Sequence, residues 1–137
     1  MAKKHAFVDT TCWVVILSKS DQLHRSAKSI YEKLFKDGFI FTTTSAVINE
    51  TANSLAEPKY RRNVTEFYKR LIASPRIEIV FVDEVLWSKG WELYEKYSDK
   101  RWSLTDCISM AVMNEKGLIE ALTHDEHFRQ AGFKILL

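Results

Sequence analysis

The chain has 137 residues, a length typical of one domain and sufficient to bury a core without disulfides. Hydrophobic residues make up 46% of it and charged residues 28%, which excludes an intrinsically disordered protein. The net charge of +2 excludes a nucleic-acid contact spread over the whole surface, so any such contact has to come from a local basic patch.

Short apolar runs alternate along the chain with segments of helical periodicity. In chain order they predict a strand at 6–8, a helix at 10–17, a helix from 23 that Gly38 ends, a strand at 39–42, a helix at 45–55 capped by Ser45, a helix from Pro58 to 72, a strand at 77–82, a helix at 86–97, a helix from 103 or 105 to 116 that Gly117 ends, a strand at 121–123 and a strand at 134–136. This alternation predicts one α/β domain over residues 1–137, with a mainly parallel sheet covered by helices on both faces.

The remaining bulk features predict the protein's location. Cys12 and Cys107 lie far apart and in no metal-binding spacing, which predicts two buried free thiols in a reducing cytoplasm. The longest apolar run, residues 12–17, is too short to span a membrane, and residues 1–5 do not resemble a secretory signal. We therefore expect a cytoplasmic protein with no membrane contact.

Acidic residues lie where a parallel sheet would form a binding site. Asp9, Asp83 and Asp125 follow predicted strands, and ligands of open parallel sheets bind beyond the carboxyl ends of the strands. Glu50 lies on a partly apolar helix face. Asp106 begins a helix that is apolar almost all round and is therefore expected to be buried. A buried carboxylate needs a partner.

Each acid also has a purely structural explanation. Asp9 can serve as an N-cap, and Asp106 suits a helix N-terminus. Glu50 can pair with a basic residue, and Asp125 can belong to a turn. Taken together, the acids favour a site instead, because clustered carboxylates repel one another until a divalent cation such as Mg²⁺ or Mn²⁺ binds them. Such an ion supports phosphodiester cleavage.

The order of the acids resembles the PIN-domain family, in particular the VapC-like toxin ribonucleases, over essentially the whole chain. The motifs that carry this resemblance are Phe7-Val8-Asp9-Thr10-Thr11, Ile48-Asn49-Glu50, Ser103-Leu104-Thr105-Asp106-Cys107-Ile108-Ser109, Leu122-Thr123-His124-Asp125-Glu126-His127-Phe128 and Ala131-Gly132-Phe133. The resemblance implies a three-layer α/β/α fold. It also implies an endoribonuclease that needs Mg²⁺ or Mn²⁺, held as one or two ions, and that leaves a 5′-phosphate and a 3′-hydroxyl.

The resemblance also implies roles for individual residues. Asp9 and Asp106 match the main metal ligands of the family, and Glu50 and Asp125 match the acids that complete the site. Hydroxyl-bearing neighbours that match supporting positions are Thr10, Thr11, Thr105 and Thr123. Many family members carry an acid or Asn where this chain has Glu126 or His127, so no role follows for these two. Asp83 matches no motif and is expected to be a turn or cap residue.

Two histidines bear on zinc binding, and the family resemblance bears on partner proteins. His124 and His127 are spaced three apart around a turn, a weak zinc pattern, and a Mg²⁺-type site explains Asp125 better. The family resemblance implies a short antitoxin chain as a partner and a homodimer as the assembly. Aromatic residues of the segment 86–102 can serve such contacts, although we expect most of them to lie in the core.

Two basic segments are candidates for RNA contact. Their basic residues are Arg61, Arg62, Lys69 and Arg70 in the segment 59–76, and Lys100 and Arg101 just before the helix of Asp106. Tyr60 and Tyr68 are interleaved with the first set and can stack on unpaired bases. The alternative for that segment is a solvated helix face with Tyr68 in the core stripe.

Three other functions are compatible with parts of the pattern. A haloacid-dehalogenase-like phosphotransferase needs an Asp two residues after Asp9, where this chain has Thr11. A receiver domain would use Asp83 and an early acidic pair that the chain lacks. A PIN-like binding module without catalysis, or a stand-alone RNA-processing nuclease outside any toxin system, remains the alternative to a toxin.

Overall fold

The computed structural model describes residues 4–137, which form five strands and seven helices. In chain order these are β1 (His5–Val8), α1 (Thr10–Leu17), α2 (His24–Lys36), β2 (Ile40–Thr44), α3 (Ser45–Ser54), α4 (Pro58–Ala73), β3 (Ile77–Val80), α5 (Glu84–Lys96), α6 (Leu104–Lys116), β4 (Glu120–Leu122), α7 (Glu126–Gln130) and β5 (Lys134–Ile135).

All the strand pairs in the sheet are parallel, in the order β3-β2-β1-β4-β5. The chain moves from β1 to β3 toward one edge and from β3 to β5 toward the other. Right-handed crossovers therefore place α1–α4 on one face and α5–α7 on the other, which is the predicted three-layer α/β/α fold. Val8 pairs with Leu122, and the Asp9 N–H donates to the Leu122 carbonyl at 3.1 Å, so the ends of β1 and β4 lie side by side.

Several element ends differ from the predicted ones. The second strand continues to Thr44, and the hydroxyl of Thr44, not of Ser45, caps α3 by accepting from the Val47 N–H at 3.1 Å. The third strand ends at Val80, earlier than predicted. Asp83 caps α5 by accepting from the Leu86 N–H at 2.8 Å, so that the helix begins two residues before its predicted start. The structure thus confirms Asp83 as a cap residue.

The core lies between the sheet and the helices, with α6 as its most buried element. Every residue of α6 from Asp106 to Met113 is buried, as its apolar surface predicts. Cys12 and Cys107 are both buried and free, which confirms the predicted thiols. None of the helices in residues 4–137 is long and apolar enough to cross a membrane.

The prediction that most aromatics of segment 86–102 lie in the core is wrong. Trp87, Trp91 and Tyr94 are each exposed to between 45% and 47%, and only Trp102 is buried. The reason is that α5 turns Leu86 and Gly90 inward, so that its aromatic residues project from the opposite face. Tyr68 of α4 is likewise exposed rather than part of the core stripe.

Gly90 lies where α5 packs tightly on α6. A Cβ at this position would lie 2.5 Å from Cγ1 of Ile108, a distance that forces the Ile108 side chain or one of the two helices to move. Alanine normally stabilises a helix by up to about 1 kcal/mol over glycine. Here we expect Gly90→Ala to lower the free energy of unfolding by about 1–2 kcal/mol, because overpacking costs about 1–3 kcal/mol.

Urea denaturation measures this effect, with Ser88→Ala on the exposed face of the same helix as the control. The control should be neutral or slightly stabilising. Adding Ile108→Ala removes the clashing atom, so the cost of Gly90→Ala should shrink in that background. A stabilising Gly90→Ala would contradict the close packing of α5 on α6.

Candidate active site

Asp9 is the most buried of the four predicted acids, with 2% of its surface exposed. It occupies the N-cap position of α1, but its side chain makes no capping hydrogen bond, so the purely structural explanation fails for this residue. Its Oδ2 instead accepts from the hydroxyls of Thr123, at 2.9 Å, and Thr11, at 3.3 Å. The sheet register brings both threonines to Asp9, because β1 and β4 are neighbours.

The electrostatics of Asp9 are those of a carboxylate that lacks a counter-charge. Burial, as the largest cause, and the negative charge of Asp106 together raise its pKa from 3.8 to about 7. The charge of Glu50 contributes in the same sense, while the Thr123 hydroxyl and the Thr10 N–H lower the pKa by donating to the carboxylate. The three acids therefore share one region of the fold.

Asp106 lies in the first turn of α6 and belongs to a capping box. The Asp106 N–H donates to the Ser103 hydroxyl, and the Ser103 N–H donates to Oδ2 of Asp106, both at 3.0 Å. The structural explanation for this acid is thus correct, but capping the helix does not prevent the carboxylate from also binding a metal ion. Burial raises the pKa of Asp106, as does the nearby charge of Asp125.

Asp125 caps α7 and faces the same space as Asp106. Its Oδ1 accepts from the His127 N–H at 2.9 Å, and its own N–H donates to the Thr123 hydroxyl at 3.0 Å. Thr123 therefore links Asp9 to Asp125. The segment that begins with Glu126, for which no helix was predicted, forms the short helix α7.

His127 is the residue at this site that sequence reasoning missed. Its Nδ1 lies 2.9 Å from Oδ2 of Asp106 and 3.1 Å from Oδ1 of Asp125. The signal in the sequence was its position two residues after an N-cap Asp, which orients its ring back toward the acids. The other histidine of the motif, His124, is not in this cluster.

The remaining predicted residues lie outside the cluster of Asp106, Asp125 and His127. Glu50, on α3, is partly buried and acts on Asp9 through its charge. The hydroxyl of Thr10 is buried and has no hydrogen-bond partner within the described part of the chain. Thr105, in the first turn of α6, makes no side-chain hydrogen bond to the acids within residues 4–137. Of the four threonines, only Thr11 and Thr123 contact a carboxylate through their hydroxyls.

The donor set fits a divalent cation. One ligand atom from each of Asp106, Asp125 and His127 lies within 4.8 Å of the other two. Carboxylate oxygens and an imidazole nitrogen are common ligands for divalent metals. A cation here would also offset the charge repulsion that raises the pKa of Asp9.

The predicted basic residues fall into two regions. On α4, Arg61 donates to the Ala56 carbonyl, and Arg62 pairs with Glu66 at 3.3 Å, whereas Arg70 lines a groove between α1, α2 and α4. Lys69 is exposed on the same helix. Lys100 and Arg101 line a second groove on α5, which ends at Trp102 and Ser103 and so adjoins the capping box of Asp106.

Comparisons with known proteins identify the family of the chain. The PIN-domain family model matches residues 6–134. The 23S rRNA-specific endonuclease VapC20 of Mycobacterium tuberculosis is 30% identical over 128 residues, which cover 93% of this chain and 94% of that protein.

Two solved structures share the fold. The crystal structure of VapC20, described as a sarcin-ricin loop cleaving toxin, superposes with a TM-score of 0.83 at 26% identity, over 93% of this chain and 95% of that one. FitAcB from Neisseria gonorrhoeae gives a TM-score of 0.65 at 16% identity, over 96% of both chains, and shows the fold alone. The chain therefore belongs to the PIN-domain family and is a VapC-like endoribonuclease.

Proposed function

We propose that this protein hydrolyses RNA phosphodiester bonds with a divalent metal ion, Mg²⁺ or Mn²⁺, held by Asp9, Glu50, Asp106 and Asp125. The observation that carries the proposal is the convergence of acids at the ends of β1 and β4, where burial and the charge of Asp106 raise the pKa of Asp9 to about 7. A resident ion there would activate water and stabilise the leaving oxygen of a phosphodiester.

The chain's own residues prepare the site in three ways. The hydroxyls of Thr11 and Thr123 fix Oδ2 of Asp9 and so orient the free edge of its carboxylate. The capping box fixes Asp106 at the first turn of α6, where the partial positive charge of the helix N-terminus stabilises its ionised form. The cap of α7 fixes Asp125. Together they present carboxylate oxygens that need little rearrangement to bind an ion.

Substitutions of Thr123 test whether its hydrogen bonds to the acids contribute to metal binding. Thr123→Val keeps the shape of the side chain but removes the donor to Asp9 and the acceptor for the Asp125 N–H. We expect Mn²⁺ affinity, measured by calorimetry, to fall by about 10–100-fold, as when partners of metal ligands are removed. Thr123→Ser keeps the hydroxyl and should bind within about threefold of wild type. Equal affinities for the two variants would contradict the proposed role of the hydroxyl.

The substrate we propose is a structured loop of ribosomal RNA. VapC20, the relative at 30% identity, is named as specific for 23S rRNA and described as cleaving the sarcin-ricin loop. Lys100 and Arg101, next to the Asp106 capping box, are well placed to bind phosphates that flank the cleaved bond. The α4 set of Arg61, Arg62, Lys69 and Arg70 would extend this contact.

Cleavage of labelled RNA tests the proposal. A sarcin-ricin-loop oligonucleotide and intact 23S rRNA would be incubated with the protein in EDTA, in Mg²⁺ and in Mn²⁺. We expect cleavage only with metal, at one position, leaving a 5′-phosphate and a 3′-hydroxyl. Cleavage that persists in EDTA would contradict a metal mechanism. Metal binding without cleavage of any RNA would favour a non-catalytic PIN-like binding module.

As partners we propose an antitoxin chain and a second copy of the protein. We also propose that the protein is cytoplasmic and that residues 1–137 form one domain. The groove between α1, α2 and α4, lined by apolar residues such as Leu17, Phe67 and Leu71, suits the helix of a short antitoxin. A toxin role and a stand-alone processing role are then distinguished by whether co-expression with the neighbouring reading frame suppresses cleavage. The free thiols Cys12 and Cys107 suit a reducing compartment.

The exposed aromatic residues of α5 are the surface we propose for the homodimer. Trp87, Trp91 and Tyr94 contact each other edge to face, with ring centroids 6.1 and 5.3 Å apart. Contiguous exposed apolar surface of this kind marks interaction sites. We expect light scattering to show a dimer that Trp91→Glu converts to a monomer, whereas Ile119→Glu, at an isolated exposed site, leaves it intact. A strictly monomeric wild type at high concentration would contradict the dimer.

A further inference from the structure

His127 contacts two of the four acids through one ring nitrogen. Its Nδ1 is 2.9 Å from Oδ2 of Asp106 and 3.1 Å from Oδ1 of Asp125. The backbone N–H of His127 donates to Oδ1 of Asp125 at the start of α7, which fixes the backbone from which the ring extends. Its side chain is only 27% exposed, which excludes a freely moving surface histidine.

The distances from Nδ1 to the two carboxylate oxygens match those between neighbouring ligands around one ion, and the two oxygens lie within 4.8 Å of each other. Adjacent ligands of an octahedral ion, each about 2.1 Å from it, lie about 3.0 Å from each other. The two distances from Nδ1 to the carboxylate oxygens are close to this value. An ion can therefore replace the hydrogen bond between the imidazole and the acids with little movement of either.

We infer that His127 is itself a metal ligand, together with Asp106 and Asp125, and that it turns the preference of the site from Mg²⁺ toward transition-metal ions such as Mn²⁺. The inference rests on the proposed function and names the class of metal that the same site binds. Mg²⁺ favours oxygen ligands alone, whereas imidazole nitrogen binds first-row transition metals well. A site with one nitrogen ligand thus discriminates between ions that a site of oxygens alone would treat more alike.

Electron paramagnetic resonance of bound Mn²⁺ tests the inference without measuring catalysis. The spin-echo spectrum of the wild-type complex should show modulation from a directly bound ¹⁴N nucleus, and His127→Asn should abolish it. Mn²⁺ affinity should fall about tenfold or more in this variant. Mg²⁺ affinity, measured by competition, should change by less than about threefold, because Mg²⁺ depends on the oxygens.

His24→Asn is the matched control, because the Nδ1 of His24 is also hydrogen-bonded, to the Val15 carbonyl at 2.9 Å, but lies outside the cluster. It should leave both the nitrogen signal and the ratio of the two affinities unchanged. If His127→Asn fails to fold, the presence or absence of ¹⁴N modulation in the wild-type spectrum still tests the inference.

Two negative outcomes are distinguishable. Mn²⁺ that binds the wild type without nitrogen modulation, and with the same Mn²⁺ to Mg²⁺ ratio in His127→Asn, would overturn the inference and leave the metal nuclease intact. In that case His127 only positions the acids through hydrogen bonds. A wild type that binds neither ion would overturn both the inference and the proposed metal dependence.

Discussion

Asp106→Asn is expected to lower the rate of RNA cleavage by at least about 100-fold. Removing a residue that only supports a metal ligand costs up to about 100-fold, and losing the ligand itself should cost no less. The amide removes the negative charge that a cation needs. It retains an oxygen that can accept from the Ser103 N–H, so the capping box and the fold should survive. Circular dichroism and thermal denaturation would confirm that the variant is folded before its activity is measured.

Asp83→Asn is the control for this experiment. Asp83 also caps a helix, accepting from the Leu86 N–H at 2.8 Å, but it belongs to α5 and not to the acid cluster. It should cleave RNA at nearly the wild-type rate. Equal loss in the two variants would mean that the Asp106 effect is structural, and equal activity would show that catalysis takes place elsewhere.

The sheet and the order of the elements followed from the sequence because they depend on strong local patterns. The run at residues 6–8 is short and apolar, and α6 is apolar almost all round, so their types and burial were predictable. Their ends were not, because a helix start depends on which hydroxyl accepts the first free N–H. Thr44 and Ser45 are equally suitable by residue type.

The prediction that the aromatic residues of α5 are buried was wrong for a different reason. Trp87, Trp91 and Tyr94 have the helical spacing that usually marks a core stripe. Only the contact of Gly90 with Ile108 shows which face of α5 turns inward. That contact depends on packing against α6, which lies beyond the reach of local periodicity.

The candidate site also contains residues that the sequence predicted and residues that only the tertiary geometry reveals. Placing Asp9 and Asp125 together requires that strands β1 and β4 be neighbours, an order that periodicity does not predict, and the family resemblance implied only that both acids belong to one site. Adding His127 required the geometry of the α7 cap, and no helix was predicted for this segment. The contribution of Thr123 likewise depends on the register of β4 against β1.

Asp9→Asn is expected to stabilise the metal-free protein at pH 8 while abolishing its metal binding. Burial, together with the charge of Asp106, raises the pKa of Asp9 from 3.8 to about 7. A raised carboxyl pKa means that the folded state binds this proton more tightly than the unfolded state does. The stability that this proton contributes is therefore fully present below about pH 4 and is lost as the pH rises through about 7.

The expected difference between the two proteins is of the order of a few kcal/mol above pH 7, since each pKa unit corresponds to about 1.4 kcal/mol. Denaturation in EDTA from pH 4 to pH 8 should show wild type and Asp9→Asn diverging as the pH rises, with the variant the more stable. Asp99→Asn, at an exposed carboxylate, should follow the wild type throughout. Parallel curves for wild type and Asp9→Asn would contradict the raised pKa.

Mn²⁺ at more than about 1,000 times its Kd should reverse this order at pH 8. A ligand that binds only the folded state adds about 4.1 kcal/mol to the free energy of unfolding at 1,000 times its Kd. This gain, which already includes relief of the repulsion between Asp9 and Asp106, offsets the few kcal/mol that the raised pKa of Asp9 costs the wild type. Asp9→Asn does not bind the ion and does not gain this stabilisation. A variant that remained the more stable protein in both EDTA and Mn²⁺ would show that Asp9 is strained for some reason other than holding an ion.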